Sequence, residues 1–585
     1  MIVKSFGSLA RSHTKALRPD SSTSKPLVSV FLLASWFGLL TGLAEVFILG
    51  TQKFLFHQTI GHGPEIVWME PAANLFNFAV VGVILLPVSR LWPMLAAPRL
   101  ITSAFAFLAA FSVLFMFHPQ LHKYAAMLLA VGLAVQTCRL VTAHADGFRL
   151  LMRRTIWWMA AVVAGLTVSF YGWQLVSEQR ALAKLPSAAA NAPNVLLIVL
   201  DTVRAQNLSL YGYGRSTTPQ LERLAQGGVR FDRALSTAPW TLPSHASMFT
   251  GRYPHEVSAN WLTPLDATHP TLAEVLSARG YLTAGFVANT GYGSYEHGLN
   301  RGFVHYEDFF VSPGAIISSS SLGRYIADSR RLRRVIGNYQ TLGRKSAAKV
   351  NRDFLRWLSQ KDERPFFVFL NYYDAHAPYV PHKPFNIKFG LNKPVEPNPL
   401  AHKKDVNPQE IQAMIDGYDS SIAYLDQQLG LLFDELKRRR ILENTLVIIT
   451  SDHGEEFGEH DLFDHGNTLY LPSVHVPLLI LFPERVPAGS SSDLVTLRDL
   501  PATVTDLLQL DDEVSFPGSS LARYWCSACE SDSRQGASPL LSEVNYARNV
   551  PPWLPVSKGD MKSLIIDSLR YVKNGDGREE ALQLK

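Results

Sequence analysis

Cysteine is scarce in this chain of 585 residues, which contains only three. So few cysteines exclude a scaffold held together by many disulfides, because such scaffolds need paired cysteines throughout. Cys138 falls within an apolar stretch, whereas Cys526 and Cys529 form a Cys-x-x-Cys motif among Ser, Asp and Gly residues. In an oxidising compartment we expect this pair to form a local disulfide, with two free thiols as the alternative.

Charged residues are also few, at 18% of the chain, and the net charge is only +5. Binding to nucleic acid depends on a strongly positive surface, so we predict no nucleic-acid partner. The chain is longer than one compact core usually allows, and two or more domains are therefore expected.

Long apolar stretches are concentrated in the first third of the chain, and each is close to the ~20 residues that a helix needs to cross a bilayer. There are five, at residues 27–50, 73–93, 99–118, 123–143 and 155–176. This pattern predicts a five-helix transmembrane domain over 27–176, with the lipid bilayer as a partner. The stretches contain almost no ionisable residues, which disfavours a transporter or channel.

Basic residues indicate how these helices are oriented. They are abundant in the leader (residues 1–26) and in the second and fourth links, at Lys4, Arg11, Lys15, Arg18, Lys25, Arg90, Arg99, Arg139, Arg149, Arg153 and Arg154. The first and third links have only Lys53 and Lys123. The positive-inside rule therefore predicts a cytoplasmic leader and, after five crossings, an extracytoplasmic remainder. We expect a multi-pass protein of the inner (plasma) membrane, whose first helix is retained because no small-residue cleavage site follows it.

After a predicted linker at 177–193, short apolar strands alternate with amphipathic helices over 194–585. Strands are predicted at 194–200, 281–288, 365–371, 445–451 and 476–482. Helices are predicted at 217–227, 244–250, 270–279, 344–360, 408–438 and 498–509. The alternation predicts an α/β sandwich, with a largely parallel sheet between two layers of helices.

Residues that could bind a metal ion follow two of the predicted strands. Asp201 ends the first strand, and Asp452 with His453 follows the strand at 445–451. The carboxyl ends of parallel strands meet at one edge of a sheet, so these side chains are expected to lie together. Pro243 is suited to the first turn of a helix, which places Thr241 at a helix N-terminus, where amide groups favour phosphate or sulfate.

These four residues predict a metal-activated nucleophile. An aliphatic hydroxyl reacts poorly near neutral pH, but a divalent ion lowers its pKa and holds the substrate oxyanion. Asp201, Thr241, Asp452 and His453 supply oxygen and imidazole ligands, which suit one Zn or Mn ion better than Ca. A second metal would need further ligands, for which Asp374, His376 and His382 are available.

Four other residues complete the predicted site. His376 and His465 are expected to assist the leaving group and the acceptor, and Arg252 and His475 to bind substrate. A simpler alternative exists for each type of residue. Thr241 or Asp201 alone could cap a helix, and any one histidine could have only a supporting role.

Residues 194–483 resemble the sulfatase family of the alkaline-phosphatase superfamily, as does Ser568–Lys573 more weakly. The segments that carry the resemblance are Asn194–Arg204, Thr217–Leu221, Thr241–Arg252, His376–Tyr379 and Ser451–Glu455. The resemblance implies an alkaline-phosphatase-like fold with the nucleophile at Thr241, metal carboxylates at Asp201 and Asp452, and a substrate-contacting His376. His453 stands where many sulfatases have Asn.

Position 241 departs from the sulfatase pattern. Sulfatases carry Cys or Ser there, which is oxidised to formylglycine, whereas oxidation of Thr would give a ketone. In this respect the chain resembles phosphoethanolamine transferases and lipoteichoic acid synthases. These enzymes have a metal-bound Thr nucleophile, a five-span membrane domain and an external catalytic domain. The spacing of His465 from His453 also resembles the phosphoethanolamine transferases, although the block from Pro243 to Arg252 is closer to sulfatases.

The sequence thus predicts a membrane-anchored metalloenzyme that cleaves or transfers phosphate from a phosphodiester or phospholipid headgroup. Thr241 would form a phosphothreonyl intermediate, which water or an envelope glycan hydroxyl would resolve. Two alternatives stay open, namely hydrolysis of sulfate esters without formylglycine, and a noncatalytic anion-binding membrane protein.

Overall fold

The computed structural model describes most of the chain. The described residues are 24–91, 98–118, 120–261, 263–329, 344–380, 382–390, 395, 405–483, 485–510, 515–525, 539–548 and 550–583. Cys526 and Cys529 lie outside them, so the predicted disulfide stays a prediction. The chain divides into two compact units, of which the first comprises Met1–Gln58, Glu65–Ser169 and Ile316–Ile326.

Long helices form the first unit. They are α1 (Ser24–Phe54), α2 (Ile66–Leu91), α3 (Pro98–Phe115), α4 (Lys123–Ala143) and α5 (Ala145–Lys184), the last of which continues beyond this unit. In the described part of the chain, four helices are long and apolar enough to cross a membrane, at Ser29–Phe54, Ile66–Pro87, Lys123–Ala143 and Ala145–Lys184. The apolar part of α3 is shorter, at Arg99–Phe115. Because α5 ends at Lys184, the first half of the predicted linker is helical.

Two glycines allow α1 and α2 to pack closely. A Cβ atom at Gly42 would lie 2.4 Å from Cα of Pro71, and one at Gly38 would lie 3.0 Å from Cα of Leu75. Small residues spaced four apart are a common means by which apolar helices bring their backbones together. This contact fixes the spacing of α1 and α2.

Strands and short helices make up the second unit. The strands are β1 (Asn194–Leu200), β2 (Val229–Leu235), β3 (Leu282–Val287), β4 (His305–Glu307), β5 (Phe366–Tyr372), β6 (Thr445–Thr450), β7 (Glu456–Phe457), β8 (Phe463–Asp464), β9 (His475–Leu481), β10 (Gly489–Thr496), β11 (Leu540–Val544), β12 (Met561–Ile566), β13 (Leu569–Lys573) and β14 (Glu579–Gln583). The helices that follow β1 in the chain are α6 (Pro219–Ala225), α7 (Thr241–Thr250), α8 (Leu272–Ala278), α9 (Pro313–Ser319), α10 (Ser321–Asp328), α11 (Ala347–Leu358), α12 (Phe385–Phe389), α13 (Pro408–Arg438), α14 (Leu471–Val474) and α15 (Leu500–Leu507). Most of α9 and α10 belongs to the first unit, through the stretch Ile316–Ile326. Short 3₁₀ turns lie at Ala205–Asn207, Ser209–Tyr211, Pro254–Glu256, Tyr295–His297, Leu442–Asn444, Glu459–Asp461, Leu497–Asp499, Leu521–Tyr524 and Pro555–Ser557.

The central sheet has the strand order β10-β2-β9-β6-β1-β5-β3-β4. All five predicted strands occur in it, and β1 runs parallel to both β5 and β6. The sheet is mixed rather than largely parallel, because β9 is antiparallel to β6 and β2. The sequence did not predict β2, in which Arg230, Asp232 and Arg233 interrupt the apolar pattern, or the mostly exposed edge strand β10.

Successive residues of β1 face opposite sides of the sheet. Val195 and Leu197 belong to the core that includes α7, whereas Leu196 and Ile198 belong to the core that includes α13. Helices therefore cover both faces, as the alternation of strands and helices predicted. A second, antiparallel sheet of β11 to β14 and the β7–β8 pair complete the described part of this unit.

Candidate active site

Two buried carboxylates lie at the carboxyl edge of the central sheet. Asp201 directly follows β1, and Asp452 lies two residues beyond the end of the neighbouring parallel strand β6. Both residues are fully buried. The ligand atoms of Asp201, Asp452 and His453 all lie within 4.8 Å of one another. The structure thus brings together the three residues that were predicted to hold a metal with Thr241.

Thr241 is the first residue of α7 and is buried beside this cluster. Its Oγ1 lies 3.3 Å from Nε2 of His453. In the next turn, the hydroxyl of Ser244 donates a 2.6 Å hydrogen bond to the carbonyl of Asp452 and ties the helix to the loop after β6. The N-terminal amide groups of α7 favour an anion at this place.

The imidazole of His453 presents a free lone pair to Thr241. Its Nδ1 lies 3.0 Å from the carbonyl of Gly454, which can only accept, so Nδ1 carries the hydrogen. Burial lowers the pKa of His453 to about 3, which keeps the ring neutral. Nε2 can therefore accept a proton or a cation.

The residues of this cluster fit a divalent cation. Within the described structure, Oδ1 of Asp201 and Oδ2 of Asp452 are buried without a hydrogen-bond partner. Burial, together with the nearby charge of Asp452, raises the pKa of Asp201 to about 6. Two buried acceptors beside an imidazole lone pair match the preferred ligands of zinc or manganese.

Asn289 is a site residue that the sequence did not reveal. It lies two residues beyond β3, and its Nδ2 donates to Oδ2 of Asp201 at 2.8 Å and lies 3.4 Å from Oγ1 of Thr241. The side chain of Asn371 accepts the Asn289 backbone amide at 2.9 Å and fixes its position. The signal that could have found Asn289 is its place just beyond the carboxyl end of a predicted strand, as for Asp201.

His465 forms a second polar cluster next to the first. Its Nδ1 lies 2.6 Å from Oδ1 of Asp464 and 3.3 Å from Oε1 of Glu455, and its ring centroid lies 4.5 Å from that of His453. Although burial opposes its charge, the two carboxylates raise the pKa of His465 well above the usual value. Glu455, Asp464 and His465 could also hold a metal ion.

His376 also lies beside His465, with ring centroids 5.0 Å apart. Its Nδ1 donates to the carbonyl of Ala377 at 2.7 Å, which leaves Nε2 with the free lone pair. Burial, followed by the charge of His465, lowers the pKa of His376 well below its usual value. His376 and His465 are thus neighbouring imidazoles that favour opposite protonation states.

Arg344 holds the loop that carries His376. Its guanidinium donates to the carbonyls of Asp374 at 2.9 Å, His376 at 2.7 Å and Pro378 at 2.8 Å, and also to the carbonyl of Tyr373. One rigid side chain therefore bonds to most of the carbonyls in this loop. We regard Arg344 as a positioning residue for His376.

The structure gives a different set of residues for a second metal from the one we predicted. Oδ2 of Asp374 accepts the amide of Ala347 at 2.9 Å, and the ring of His382 stacks on Tyr424 with centroids 3.9 Å apart. Asp374, His376 and His382 as ligands of a second metal therefore stay a prediction. Glu455, Asp464 and His465 are a further group that could hold a metal ion.

Arg252 and His475 lie away from the residues that surround Thr241, which corrects their predicted positions. Arg252 follows the C-terminal end of α7, and a helix of 10 residues is about 15 Å long. Its guanidinium lies 3.7 Å from Glu256 instead. His475 begins β9, and its Nε2 is hydrogen-bonded to the carbonyl of Asp232 at 2.9 Å. Neither side chain is placed to bind a substrate at Thr241.

Known proteins resemble this chain. A family model described as Sulfatase matches residues 193–510. The chain is 26% identical to a choline-sulfatase of Rhizobium meliloti, over 63% of this chain and 77% of that protein. It is 24% identical to a sulfatase of Formosa agariphila, over 66% of this chain and 80% of that protein. The structure is similar to that of a phosphonate monoester hydrolase of Agrobacterium radiobacter, with a TM-score of 0.52, 21% identity, and coverage of 67% of this chain and 89% of that one.

Proposed function

This chain belongs to the sulfatase family, and we propose that it is a membrane-anchored metalloenzyme that cleaves or transfers a phosphate group through Thr241. The second unit has the alkaline-phosphatase-like α/β fold, and relatives support hydrolase chemistry. The observation that carries the proposal is the position of Thr241 at the N-terminus of α7, with Oγ1 3.3 Å from Nε2 of His453. The substrate class we propose is a phosphodiester or a phospholipid headgroup.

A threonine at this position favours direct attack by its hydroxyl. The β-carbon of Thr241 carries a methyl group, so oxidation would give a ketone and not the aldehyde that sulfatases use. A divalent ion held by Asp201, Asp452 and His453 would lower the pKa of the hydroxyl and stabilise negative charge on the substrate. The amide groups at the start of α7 would bind the nonbridging oxygens.

The first step forms a phosphothreonyl intermediate. The Thr241 hydroxyl gives its proton to solvent and its oxygen bonds to phosphorus, while the bond from phosphorus to the leaving oxygen breaks. His465 is suited to protonate that oxygen. Its Nδ1–H faces two carboxylates, which favours the imidazolium and leaves Nε2–H as the acid.

The second step releases the phosphate. His376, with a free lone pair on Nε2, takes a proton from water or from an acceptor hydroxyl. The oxygen of that molecule bonds to phosphorus while the bond from phosphorus to the Thr241 oxygen breaks, and Oγ1 of Thr241 takes a proton back from solvent. Transfer of the proton from His376 to His465, whose ring centroids are 5.0 Å apart, restores both groups.

Trapping the intermediate tests this proposal. Purified full-length protein would be incubated with a phosphodiester, quenched in acid, digested and analysed by mass spectrometry. We expect one added phosphoryl group, which still carries the second ester substituent of the phosphodiester, on the peptide that contains Thr241, and none in the Thr241→Ala variant. An active enzyme with no adduct on Thr241 under rapid quenching, or with the adduct on another residue, would contradict the mechanism.

Hydrolysis of sulfate esters is the second candidate function. The relatives of this chain include a choline-sulfatase and an arylsulfatase of Clostridium perfringens, whose names favour a sulfate ester as substrate. Parallel assays with p-nitrophenyl sulfate and bis(p-nitrophenyl) phosphate separate the two functions, because each releases the same chromophore. Turnover of neither ester, together with anion binding, would support a noncatalytic role.

Membrane anchoring is the part of the proposal that rests on the first unit. Four of its helices have the length and composition of membrane spans. The basic residues of the sequence predict an extracytoplasmic catalytic domain at the inner (plasma) membrane, with phospholipid or envelope glycan as substrate. We expect the protein to stay in the membrane pellet after alkaline carbonate extraction, and protease added outside spheroplasts to digest residues after 193. Release into the supernatant would contradict anchoring.

A further inference from the structure

Two acidic side chains are buried inside the helical unit. Glu45 lies on α1 and Glu70 on α2, and both are fully buried. In the sequence, each glutamate is a single acidic residue in or beside an apolar stretch. The sequence therefore did not indicate a pair of acidic residues in this region. Ionisable residues buried among apolar helices are costly and mark functional sites by default.

Donors surround only one of the two carboxylates. Oε1 of Glu45 accepts the hydroxyl of Ser321 at 2.5 Å, and Oε2 accepts Nδ2 of Asn74 at 2.8 Å and the amide of Ser321 at 3.4 Å. Ser321 belongs to the stretch Ile316–Ile326, which is part of the same compact unit. Both oxygens of the Glu45 carboxylate thus have hydrogen-bond partners in the described structure.

The neighbouring acceptors have no donors in the described structure. Both carboxylate oxygens of Glu70 and Oδ1 of Asn74 are buried without a hydrogen-bond partner, and so is the hydroxyl of Ser112. Arg324, in the same unit, acts on Glu70 through its charge. Its Nη2 donates to the carbonyl of Ser319 at 3.0 Å, and its Nε is buried without a hydrogen-bond partner among the described residues. Three buried acceptor atoms, namely the two carboxylate oxygens of Glu70 and Oδ1 of Asn74, thus have no hydrogen-bond donor among the described residues.

The two helices that carry the glutamates are in close backbone contact. Gly42 lies one helical turn before Glu45 and packs against Pro71, the residue after Glu70, so closely that a Cβ atom there would lie 2.4 Å from Cα of Pro71. This contact brings the buried glutamates of α1 and α2 into the same part of the helical unit.

A proton shared between the two glutamates would satisfy one acceptor and leave the others unpaired. A cation would interact with all of them at once. Every candidate ligand is an oxygen, as hard cations prefer, and two carboxylates balance a double charge. We propose that Glu45, Glu70 and Oδ1 of Asn74, with the hydroxyl of Ser112, bind a hard divalent cation of the Ca²⁺ or Mg²⁺ class within the helical unit. This inference does not depend on the proposed catalytic function.

Metal content and thermal stability test the proposal. Full-length Asp201→Asn protein in detergent would serve as the parent, because it lacks a ligand of the active-site cluster. After chelation, the protein would be equilibrated with Ca²⁺ or Mg²⁺, and bound metal would be measured by mass spectrometry alongside the melting temperature. We expect Glu70→Gln to lose one equivalent of metal and the metal-dependent rise in melting temperature. Asp146→Asn, which removes an exposed carboxylate on α5, should lose neither.

The parent protein alone can overturn the proposal if Glu70→Gln does not fold. Its melting temperature would be measured after chelation and with each ion, at about pH 6 and about pH 8. A rise with added ion at both pH values supports the cation site. A melting temperature that changes with pH but not with either ion would show that the glutamates share a proton. Equal metal content in the parent and a folded Glu70→Gln variant would also refute the site.

Discussion

The side chain of Asn289 donates a 2.8 Å hydrogen bond to Oδ2 of Asp201, which leaves Oδ1 as the unpartnered oxygen of that carboxylate. The amide therefore selects which oxygen of Asp201 is free to bind a metal. Residues that orient a metal ligand in this way typically change metal affinity or activity by about 10- to 100-fold when they are mutated.

We predict a loss of that size for Asn289→Ala, seen as a rise in the metal concentration that gives half-maximal activity. Titration of chelated enzyme with Zn²⁺ and with Mn²⁺ would measure it. The matched control is Asn444→Ala, because Asn444 is exposed and precedes β6 at the opposite edge of the sheet. An unchanged metal requirement in Asn289→Ala would show that the amide does not orient Asp201.

Substitutions of Thr241 test whether this residue is the nucleophile or only caps α7. Thr241→Ser keeps the hydroxyl and loses only a methyl group, so we expect it to retain a measurable fraction of kcat. Thr241→Ala removes the nucleophile, and we expect at least about a 1,000-fold loss in kcat with little change in melting temperature. Steady-state kinetics on bis(p-nitrophenyl) phosphate would measure both. A fully active Thr241→Ala enzyme would refute the mechanism.

His465 gives a prediction about the leaving group. A general acid contributes about 10²- to 10⁴-fold when the departing oxygen needs a proton, and little when it does not. We therefore expect His465→Asn to lose most activity on alkyl phosphodiesters and to keep much more on p-nitrophenyl esters. A steeper dependence of log kcat on leaving-group pKa is the readout, and a merely structural role would not produce it. His475→Asn is the control, since His475 is bonded to a backbone carbonyl elsewhere.

Asp426 gives a prediction about stability and pH. Its carboxylate accepts the amides of Gln220 and Leu221 at 2.9 Å each, and burial raises the pKa of Asp426 to about 6. Because the folded-state pKa is the higher one, this residue contributes most stability below about pH 4, and the contribution is lost as pH rises through about 6. We expect Asp426→Asn to destabilise the protein at about pH 5 by more than at about pH 8. Urea unfolding at both pH values measures the difference, and an equal effect at both would contradict the raised pKa.

The sequence predicted those parts of the fold and site that follow from local pattern. The apolar runs that end at Asp201 and near Asp452 are buried central strands, and parallel pairing of β1 with β6 brings their ends together. The helix Pro408–Arg438 has the predicted bounds, because an Asn407 cap and Pro408 mark its start in the sequence. An apolar run or a helix cap can be recognised from the residues of a single strand or helix.

Features that depend on contacts between distant residues were missed. The position of Asn289 just beyond a predicted strand places it at the right edge of the sheet, but does not indicate that its amide meets Asp201. Glu45 and Glu70 come together only when α1 packs on α2. Arg252 is a different case. The sequence already places a helix between Thr241 and Arg252, but it does not show that the Arg252 guanidinium lies 3.7 Å from Glu256.

Arg344 tests whether the loop after β5 must be held rigidly for catalysis. Its planar guanidinium donates to several carbonyls of the loop, including that of His376 at 2.7 Å. Lysine keeps the charge but has no planar fork, so Arg344→Lys cannot reproduce these bonds. We expect kcat to fall by about 10-fold or more while KM changes little, because a misplaced catalytic group affects mainly the chemical step.

A double-mutant cycle decides whether Arg344 acts through His376. If it does, Arg344→Lys should cost little further activity once His376 has been replaced by Ala, because residues that act as a unit are strongly non-additive. Fully additive losses would contradict a positioning role. Arg439→Lys is the matched control, since Arg439 bonds to Ser359 and Glu435 on the helical surface. It should leave kcat unchanged, because those contacts do not reach the loop that carries His376.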